Sequence, residues 1–458
     1  MGADLVIASN RGPLSFSLDS NGRAVPAGSA GGLAGALHPL LEGSGATWVA
    51  CAMSEADRKA TTEGLMTERG LRLVMVQPDP DTYRMAYDVV SNATLWFVHH
   101  SLFDLPRRPR FDRHFATAWE AYRELNRSFA SAIDDAAGDG ATVLVQDYHL
   151  CLVPEMLAER RPDLRTVHFT HTPFADPTAL RVLPSAVAGQ ILRGMAAAAA
   201  CGFHTTRWES AFRACCADMG VEPRRSFVSP LTPDSDHLAE RAESAECRSA
   251  GERLDDVLQG RRMILRVDRI EPAKNLLRGF WAMDELLRAR PDLRVGVVML
   301  ALAYASRQTL PEYLAYGAEV EQVARRVNDT WATDDWTPII LDVADDAGRS
   351  LAALMRYDVL LVNPLRDGLN LVAKEGPLVN TTDGVVALSR EAGAFAELHD
   401  HALEVNPFDV AGTADVLARA LDMAPGERAR RAEGLRSVVA RRKPGDWLAD
   451  QLAAAVAG

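Results

Sequence analysis

Arg269 and Lys274 stand five positions apart in the string Val267-Asp268-Arg269-Ile270-Glu271-Pro272-Ala273-Lys274-Asn275. Two cations at that spacing on one loop can grip a diphosphate from two sides, the arginine as a planar fork and the lysine as a compact point charge. Asp268 and Glu271 lie between them, so a solvated salt-bridge loop explains the string equally well. A second string, Asn363-Pro364-Leu365-Arg366-Asp367-Gly368-Leu369-Asn370-Leu371-Val372-Ala373-Lys374-Glu375, runs from an apolar strand through a glycine turn into a helix. The backbone N–H groups of Gly368, Leu369, Asn370 and Leu371 can then meet an anion at the positive end of the helix dipole, and Asp367 can accept from hydroxyls beside it. Glu375, one to two turns in, is an acceptor-only group that suits a pair of ribose hydroxyls. A buried capping network would explain Asp367 but not the whole string. Near the start, Ser9-Asn10-Arg11-Gly12-Pro13 follows another apolar strand, and Gly31-Gly32-Leu33-Ala34-Gly35 opens a helical stretch. Arg11 is a second phosphate-capable fork and Gly32 permits close backbone approach, but the spacing is not G-x-G-x-x-G and a tight turn is the simpler account of the glycines.

Such loops need a scaffold that brings strand ends together. Strand-like runs at Leu5–Ala8, Thr47–Cys51, Leu73–Val76, Thr142–Gln146 and Thr166–Thr170 alternate with helical stretches such as Phe111–Asp135 and Val153–Glu159. The second half repeats the theme at Met263–Val267, Arg294–Leu300, Thr337–Leu341, Val359–Val362 and Val385–Leu388. Alternation of this kind predicts βα units and parallel sheets, with ligands outside the carboxyl ends of the strands. The Ala196–Ala200 run reads as a close-packed helix, and Pro230–Asp236 as a linker near the midpoint.

Length and composition agree. A chain of 458 residues exceeds one ordinary hydrophobic core and suits two domains, and 48% hydrophobic with 24% charged residues is the composition of a folded protein. A net charge of −12 argues against a nucleic-acid-binding surface. No apolar run has the roughly 18 residues of a membrane span, and the first residues lack the basic region of a secretion signal, so the expected location is cytoplasmic. The six cysteines include no C-x-x-C pair and read as buried thiols. Only four lysines occur, and two of them, Lys274 and Lys374, fall inside the strings above.

Taken in order, the strings Ser9-Asn10-Arg11, Gly31-Gly32-Leu33, Ser91-Asn92-Ala93-Thr94-Leu95-Trp96, Asp147-Tyr148-His149-Leu150, His171-Thr172-Pro173-Phe174, Trp336-Thr337-Pro338, the Asp367 string, Glu391-Ala392-Gly393-Ala394 and Asn406-Pro407-Phe408-Asp409 resemble the trehalose-6-phosphate synthase family of retaining glycosyltransferases, family 20. The resemblance covers Leu5 to about Leu452. It implies an α/β fold of the GT-B type, with two Rossmann-like doubly wound parallel-sheet domains facing across a cleft. Residues 1–232 would form the acceptor domain and 233–458 the nucleotide-sugar domain, with the last helix, about 444–458, crossing back to the first. It assigns Arg269 and Lys274 to the donor diphosphate, Glu375 to the ribose, and Asp367 with Gly368–Leu371 and Gly32 to the donor sugar and phosphate. His171 would lie at the reaction centre, making His171, Arg269, Lys274 and Asp367 the catalytic set. On the acceptor side it implies Arg11, Tyr87 and Arg307 around a sugar 6-phosphate, with Trp96 and Asp147 against the acceptor ring.

The implied reaction moves glucose from a nucleoside diphosphate glucose to glucose 6-phosphate, with no metal and no organic cofactor and with a homo-oligomer compatible. The resemblance provides no carboxylate nucleophile of the kind retaining hydrolases use. It implies instead that the leaving diphosphate takes the acceptor proton while the cations stabilise its charge. Three places depart from the family. Cys51 stands where a second tryptophan is usual, Thr172-Pro173-Phe174-Ala175 replaces Ile-Pro-Phe-Pro, and Leu341-Asp342-Val343-Ala344-Asp345-Asp346 differs near the expected donor base, which leaves uridine and guanosine both open. Two alternatives follow. Asp79-Pro80-Asp81 fits the metal string of the other common transferase fold, and the validoxylamine phosphate synthases, which couple cyclitols, also resemble this chain.

Overall fold

Most apolar runs bounded by turn residues pair in parallel, and the central strands are buried along most of their length, as strands covered by helices on both faces are. The computed structural model describes residues 2–29, 33–68 and 70–456. Its contacts divide the chain into two compact units, Met1–Leu231 with Pro444–Gly458, and Thr232–Lys443.

In the first unit β1 (Ala3–Ala8) is followed by a hairpin, β2 (Leu14–Leu18) and β3 (Ala24–Ser29), then by β4 (Thr47–Cys51), β5 (Thr67–Glu68), β6 (Leu71–Val76), β7 (Ala137–Gln146), β8 (Arg165–Thr170), β9 (Ala200–Phe203) and β10 (Ser226–Val228). Apart from the hairpin these form one sheet in the order β10-β9-β8-β7-β1-β4-β6-β5, antiparallel only at the β5–β6 edge. The second unit contributes β11 (Arg262–Ile270), β12 (Val297–Ala305), β13 (Ile339–Val343), β14 (Val359–Val362), β15 (Val385–Ser389) and β16 (Leu403–Val405), all parallel in the order β13-β12-β11-β14-β15-β16. The strand order reverses between β1 and β7 in one sheet and between β11 and β14 in the other. Crevices form at such reversals; the loops after β1, β7 and β14 carry Arg11, Asp147 and Asp367, and Arg269, expected on a loop, is the second-last residue of β11 itself, which extends to Ile270.

The helix Pro444–Val456 packs on the first sheet, where Ala455 joins Leu144 and Val167 in one buried cluster and Trp447 is fully buried. Six strands that the sequence pattern did not announce are β2, β3, β5, β9, β10 and β16, all short. The alanine run is a correction: the helix Ser185–Ala196 ends where the run begins, and β9 starts at Ala200. A run of identical methyl groups declares no face, and the pairing of Ala200 with Val167 on β8 decides the conformation. Gly202 explains the tightness there, since a Cβ would lie 2.6 Å from the Phe227 ring. The expected strand Arg294–Leu300 likewise begins only at Val297, after a turn over Pro291–Leu293. A further departure is the stretch Met85–Leu95, which winds as a π-helix with Ser91 and Thr94 hydroxyls donating to carbonyls five residues back, those of Ala86 and Val89. Long π segments are rare and concentrate at functional sites. This one carries Tyr87 and ends at Trp96.

Candidate active site

In the second unit, the end of β11 and the loop after it carry a cluster of ion pairs. Lys274 Nζ lies 2.6 Å from Asp367 Oδ2, and Asn370 Nδ2 donates to the same oxygen at 3.1 Å. Burial alone would push the Lys274 ammonium down, but Asp367 and the nearby Asp268 and Glu271 hold it above the ordinary lysine range, so it is charged at neutral pH. Arg269 contacts Glu271 at 2.9 Å and keeps 41% of its side chain exposed. The solvated-loop alternative fails here, because Asp268 is 8% and Glu271 1% exposed.

The loop is held from below and from the side. Arg266, on β11 and 1% exposed, donates from Nη2 to Asp268 Oδ2 at 2.9 Å and to the Lys274 carbonyl at 2.9 Å. Asn275, in the left-handed region at φ 59°, donates from Nδ2 to the Asn363 and Pro407 carbonyls. The Leu365 N–H donates to Ala273 O, so the β11 and β14 loops are tied directly. The Asp367 loop is fastened to the Glu391 string: Asp367 N–H donates to Glu391 O, Gly393 N–H to Asp367 O at 3.0 Å, and Ala394 N–H to Leu369 O at 2.7 Å. Gly368, Leu369 and Asn370 are buried, with Asn370 at φ 80°, and Leu371 is the cap of the helix Val372–Val379. Glu375 lies in that helix's first turn, and burial raises its carboxyl above the usual value despite the opposing charge of Arg241. Lys374 faces away into a buried pair with Glu397. Arg307, at φ 44° after β12, donates to Glu271 at 3.0 Å and to the Tyr313 hydroxyl at 2.6 Å.

In the first unit Ser9 Oγ donates to Arg11 O at 2.6 Å and accepts from Trp48 Nε1 at 2.8 Å, which sets the turn that leaves Arg11 exposed. Gly32 lies outside the described residues. Tyr87 is stacked between Tyr83 and His149, at centroid separations of 5.3 and 5.7 Å. Trp96 is 2% exposed and lies flat against the His100 ring at 4.1 Å. Cys51 is a buried thiol pushed up to about 12 by burial, and its N–H donates to Asn10 O. All six cysteines are free and buried. Asp147 occupies φ 69°, ψ 172°, a region nearly confined to glycine, and its Oδ1 accepts from the His171 N–H at 3.1 Å. Such strain at a strand end is a mark of functional sites.

His171 itself sits in a directional chain. The Leu231 N–H donates to His204 Nδ1 at 3.3 Å, so neutral His204 carries its proton on Nε2 and donates to His171 Nδ1 at 3.1 Å. His171 then holds its proton on Nε2 and donates to Gln146 Oε1 at 2.9 Å, and Gln146 Nε2 donates to Gln451 Oε1 at 3.1 Å. Both ring nitrogens are therefore used within the protein. Burial, with the neighbouring His168 adding to it, lowers the His171 pKa to about 3, so it is neutral and is no proton donor or acceptor near pH 7. Burial likewise lowers His99 to about 3 and His168 to about 4.

These depressions carry a prediction. Unfolded imidazoles take up protons near pH 6.5, whereas the native ones stay neutral until about 4 or below, so stability falls as the pH drops between those values. At about 1.4 kcal/mol per proton per pH unit, three rings give a slope of up to about 4 kcal/mol per unit. Urea midpoints at pH 7.5, 6.5 and 5.5 should fall over both steps, by roughly three times as much over the second as over the first, because the unfolded rings are already half protonated at pH 6.5. A midpoint that does not move between 6.5 and 5.5 would show that the rings are not held neutral.

The Asp79-Pro80-Asp81 string is a helix start: Asp79 Oδ1 accepts from the Asp81 and Thr82 N–H groups, and Asp81 pairs with Arg84. Among the described residues no three His, Cys, Asp or Glu side chains are placed to hold a metal ion, and no helix is long and apolar enough to cross a membrane.

The family model of glycosyltransferase family 20 matches residues 3–456, which is nearly the whole chain. The chain belongs to glycosyltransferase family 20. Among curated proteins it is 32% identical to a trehalose-6-phosphate synthase of Mycolicibacterium smegmatis, over 95% of this chain and 89% of that one. Among solved structures it is similar to the Escherichia coli protein bound with UDP-2-fluoro glucose, at 26% identity, a TM-score of 0.85 and 98% of each chain. It is also similar to an α,α-trehalose-phosphate synthase (UDP-forming) from Burkholderia xenovorans in complex with glucose-6-phosphate, at 27% identity, a TM-score of 0.87, and 98% and 99% of the two chains. As a family 20 member the protein is a glycosyltransferase of the GT-B fold class, with two Rossmann-like α/β domains. Four residues around the candidate site escaped the reading of the sequence. Glu271 was visible only as a loop charge, Gly393 only as part of a motif, and Gln146 and Gln451, 305 positions apart, had no signal at all.

Proposed function

We propose that this family 20 enzyme transfers glucose from a nucleoside diphosphate glucose to glucose 6-phosphate with retention at the anomeric carbon, giving trehalose 6-phosphate. The observation that carries the reading is the Arg269, Lys274 and Asp367 cluster at the strand-order reversal of the second sheet. Arg269 and Lys274 take the donor diphosphate, Asp367 with the backbone of Gly368–Leu371 takes the glucose and its phosphate, and Glu375 takes the ribose. Arg307 and Arg11 take the acceptor phosphate, and Tyr87, Trp96 and Asp147 serve the acceptor. The names and ligands of the relatives from M. smegmatis, E. coli and B. xenovorans support this choice of substrates.

In the proposed step the acceptor's anomeric oxygen bonds to C1 of the donor glucose as the bond from C1 to the diphosphate oxygen breaks. The acceptor proton passes to the departing diphosphate on the same face. Charge grows on the leaving group, and Lys274, kept protonated by Asp367, and Arg269 stabilise it electrostatically. His171 is neutral, with both ring nitrogens held by His204 and Gln146, so it lines the reaction centre and does not act as a base.

A donor panel tests the reading and finds the base together. With glucose 6-phosphate present, uridine or guanosine diphosphate glucose should release nucleoside diphosphate, and free glucose at saturation should be a poor acceptor in turnover as well as affinity. Failure of every donor, or equal maximal rates for glucose and glucose 6-phosphate, would overturn it.

A further inference from the structure

Glu271 is 1% exposed, and its Oε1 is shared by three donors: Arg269 Nη1 at 2.9 Å, Arg307 Nη1 at 3.0 Å and Ser306 Oγ at 2.9 Å. The sharing follows from register. On the adjacent parallel strands β11 and β12, Arg269 pairs with Tyr304 and Ile270 with Ala305, so Glu271 and Ser306 leave the sheet side by side. Arg307 follows at φ 44°, a left-handed conformation that costs a non-glycine residue roughly 1 kcal/mol. It is kept there by Glu271 and by Tyr313, whose hydroxyl accepts at 2.6 Å and whose ring centroid is 5.3 Å from the guanidinium carbon. The Glu271 carbonyl also accepts from the Lys274 backbone N–H at 3.0 Å, so one residue holds two of the cationic groups by its side chain and the backbone of the third by its carbonyl.

Two guanidinium groups converging on one oxygen repel each other, and a neutral partner would not hold them there. Burial alone would raise the Glu271 carboxyl, but Arg269, Arg307 and Lys274 hold it down to about 2, so it is ionised throughout the working range. A guanidinium has five N–H donors, and Arg269, anchored here through Nη1 and 41% exposed, can present a fork to a phosphate.

We propose that Glu271 is a positioning residue that fixes the donor-side Arg269 and the acceptor-side Arg307 on one carboxylate oxygen, so that both phosphate groups are bound through a single shared anchor. The inference rests on the functional reading above for the roles of the two arginines. It places Glu271 outside contact with either substrate, acting through the arginines alone.

Glu271→Gln keeps the shape and an acceptor but removes the charge, and is expected to raise the KM for both donor and glucose 6-phosphate by about tenfold or more, as losing a charge-assisted hydrogen bond does. Arg307→Ala should raise the glucose 6-phosphate KM alone. Combining it with Glu271→Gln should add little to that KM, since the two changes remove the same alignment. Glu271→Asp, which keeps the charge one methylene short, should recover part of both values, and it carries the same readout if Glu271→Gln does not unfold cooperatively. A change in one KM only, or in neither, overturns the shared anchor. An active wild type with unaltered KM values in the variant sinks only the role of Glu271, whereas a wild type inactive across the donor panel sinks the functional reading. In that event, calorimetry with inorganic pyrophosphate and with inorganic phosphate decides the anchor: weakening of both in Glu271→Gln supports it, and no weakening overturns it.

Discussion

Lys274→Ala and Arg269→Ala should each lower turnover by at least about a hundredfold, the scale on which a placed electrostatic contact to developing charge is worth in a water-poor site. The two losses differ in their side effects. Removing the Lys274 ammonium takes a charge partner at 2.6 Å from Asp367, which is only 17% exposed, so a modest loss of stability accompanies the loss of rate. Removing Arg269 leaves Glu271 still paired with Arg307 and Ser306, so stability is retained while the rate falls. Thermal midpoints measured beside initial rates therefore separate a folding effect from a chemical one. Lys274→Arg adds a third point: it keeps the charge but replaces a compact ammonium with a fork, and at a 2.6 Å contact it should recover only part of the rate. Near-normal turnover in both alanine variants would remove the leaving-group assignment.

What the sequence discloses about such a site depends on where the information resides. Arg269, Lys274 and Asp367 are legible because their chemistry belongs to the residue type and their loops follow apolar strands. Glu271 is different. Its function in the fold depends on being buried beside Ser306, and that depends on the register of β11 with β12, which no local pattern encodes. The link from His171 through Gln146 to Gln451 spans 305 positions and joins two neutral amides, which carry no periodic or charge signal. The π-helical winding of Met85–Leu95 is invisible for a related reason, since it is defined by bonds reaching five residues back, such as the Trp96 N–H to Ser91 O and the Ser91 and Thr94 hydroxyls to Ala86 O and Val89 O, which leave no mark on the order of residue types. Secondary structure was misjudged where side chains are small: Ala197–Ala199 has no face to show, and the strand at Ala200 is imposed by its neighbour β8.

Gly393→Ala is expected to cost about a hundredfold or more in kcat/KM, although Gly393 carries no functional group. A Cβ there would run into the Gly368 carbonyl, 2.7 Å from its carbon and 2.9 Å from the Leu369 Cα. Both neighbours are backbone, so no side chain can swing aside, and the segment must move. That segment is Asp367–Leu369, held by the Gly393 N–H on Asp367 O and the Ala394 N–H on Leu369 O. Displacing it shifts Asp367 away from Lys274, and misplacement of a reacting group by about 1 Å is enough for a loss of this size. Overpacking should also cost about 1–3 kcal/mol of stability. Gly426→Ala is the matched control: a Cβ there meets nothing within 4 Å, in the first turn of the helix Pro425–Val439, and the substitution should leave rate and stability near their starting values. A Gly393→Ala enzyme with the control's rate would mean that the Asp367 loop tolerates displacement, and that the geometry at the end of β14 does not set the chemistry.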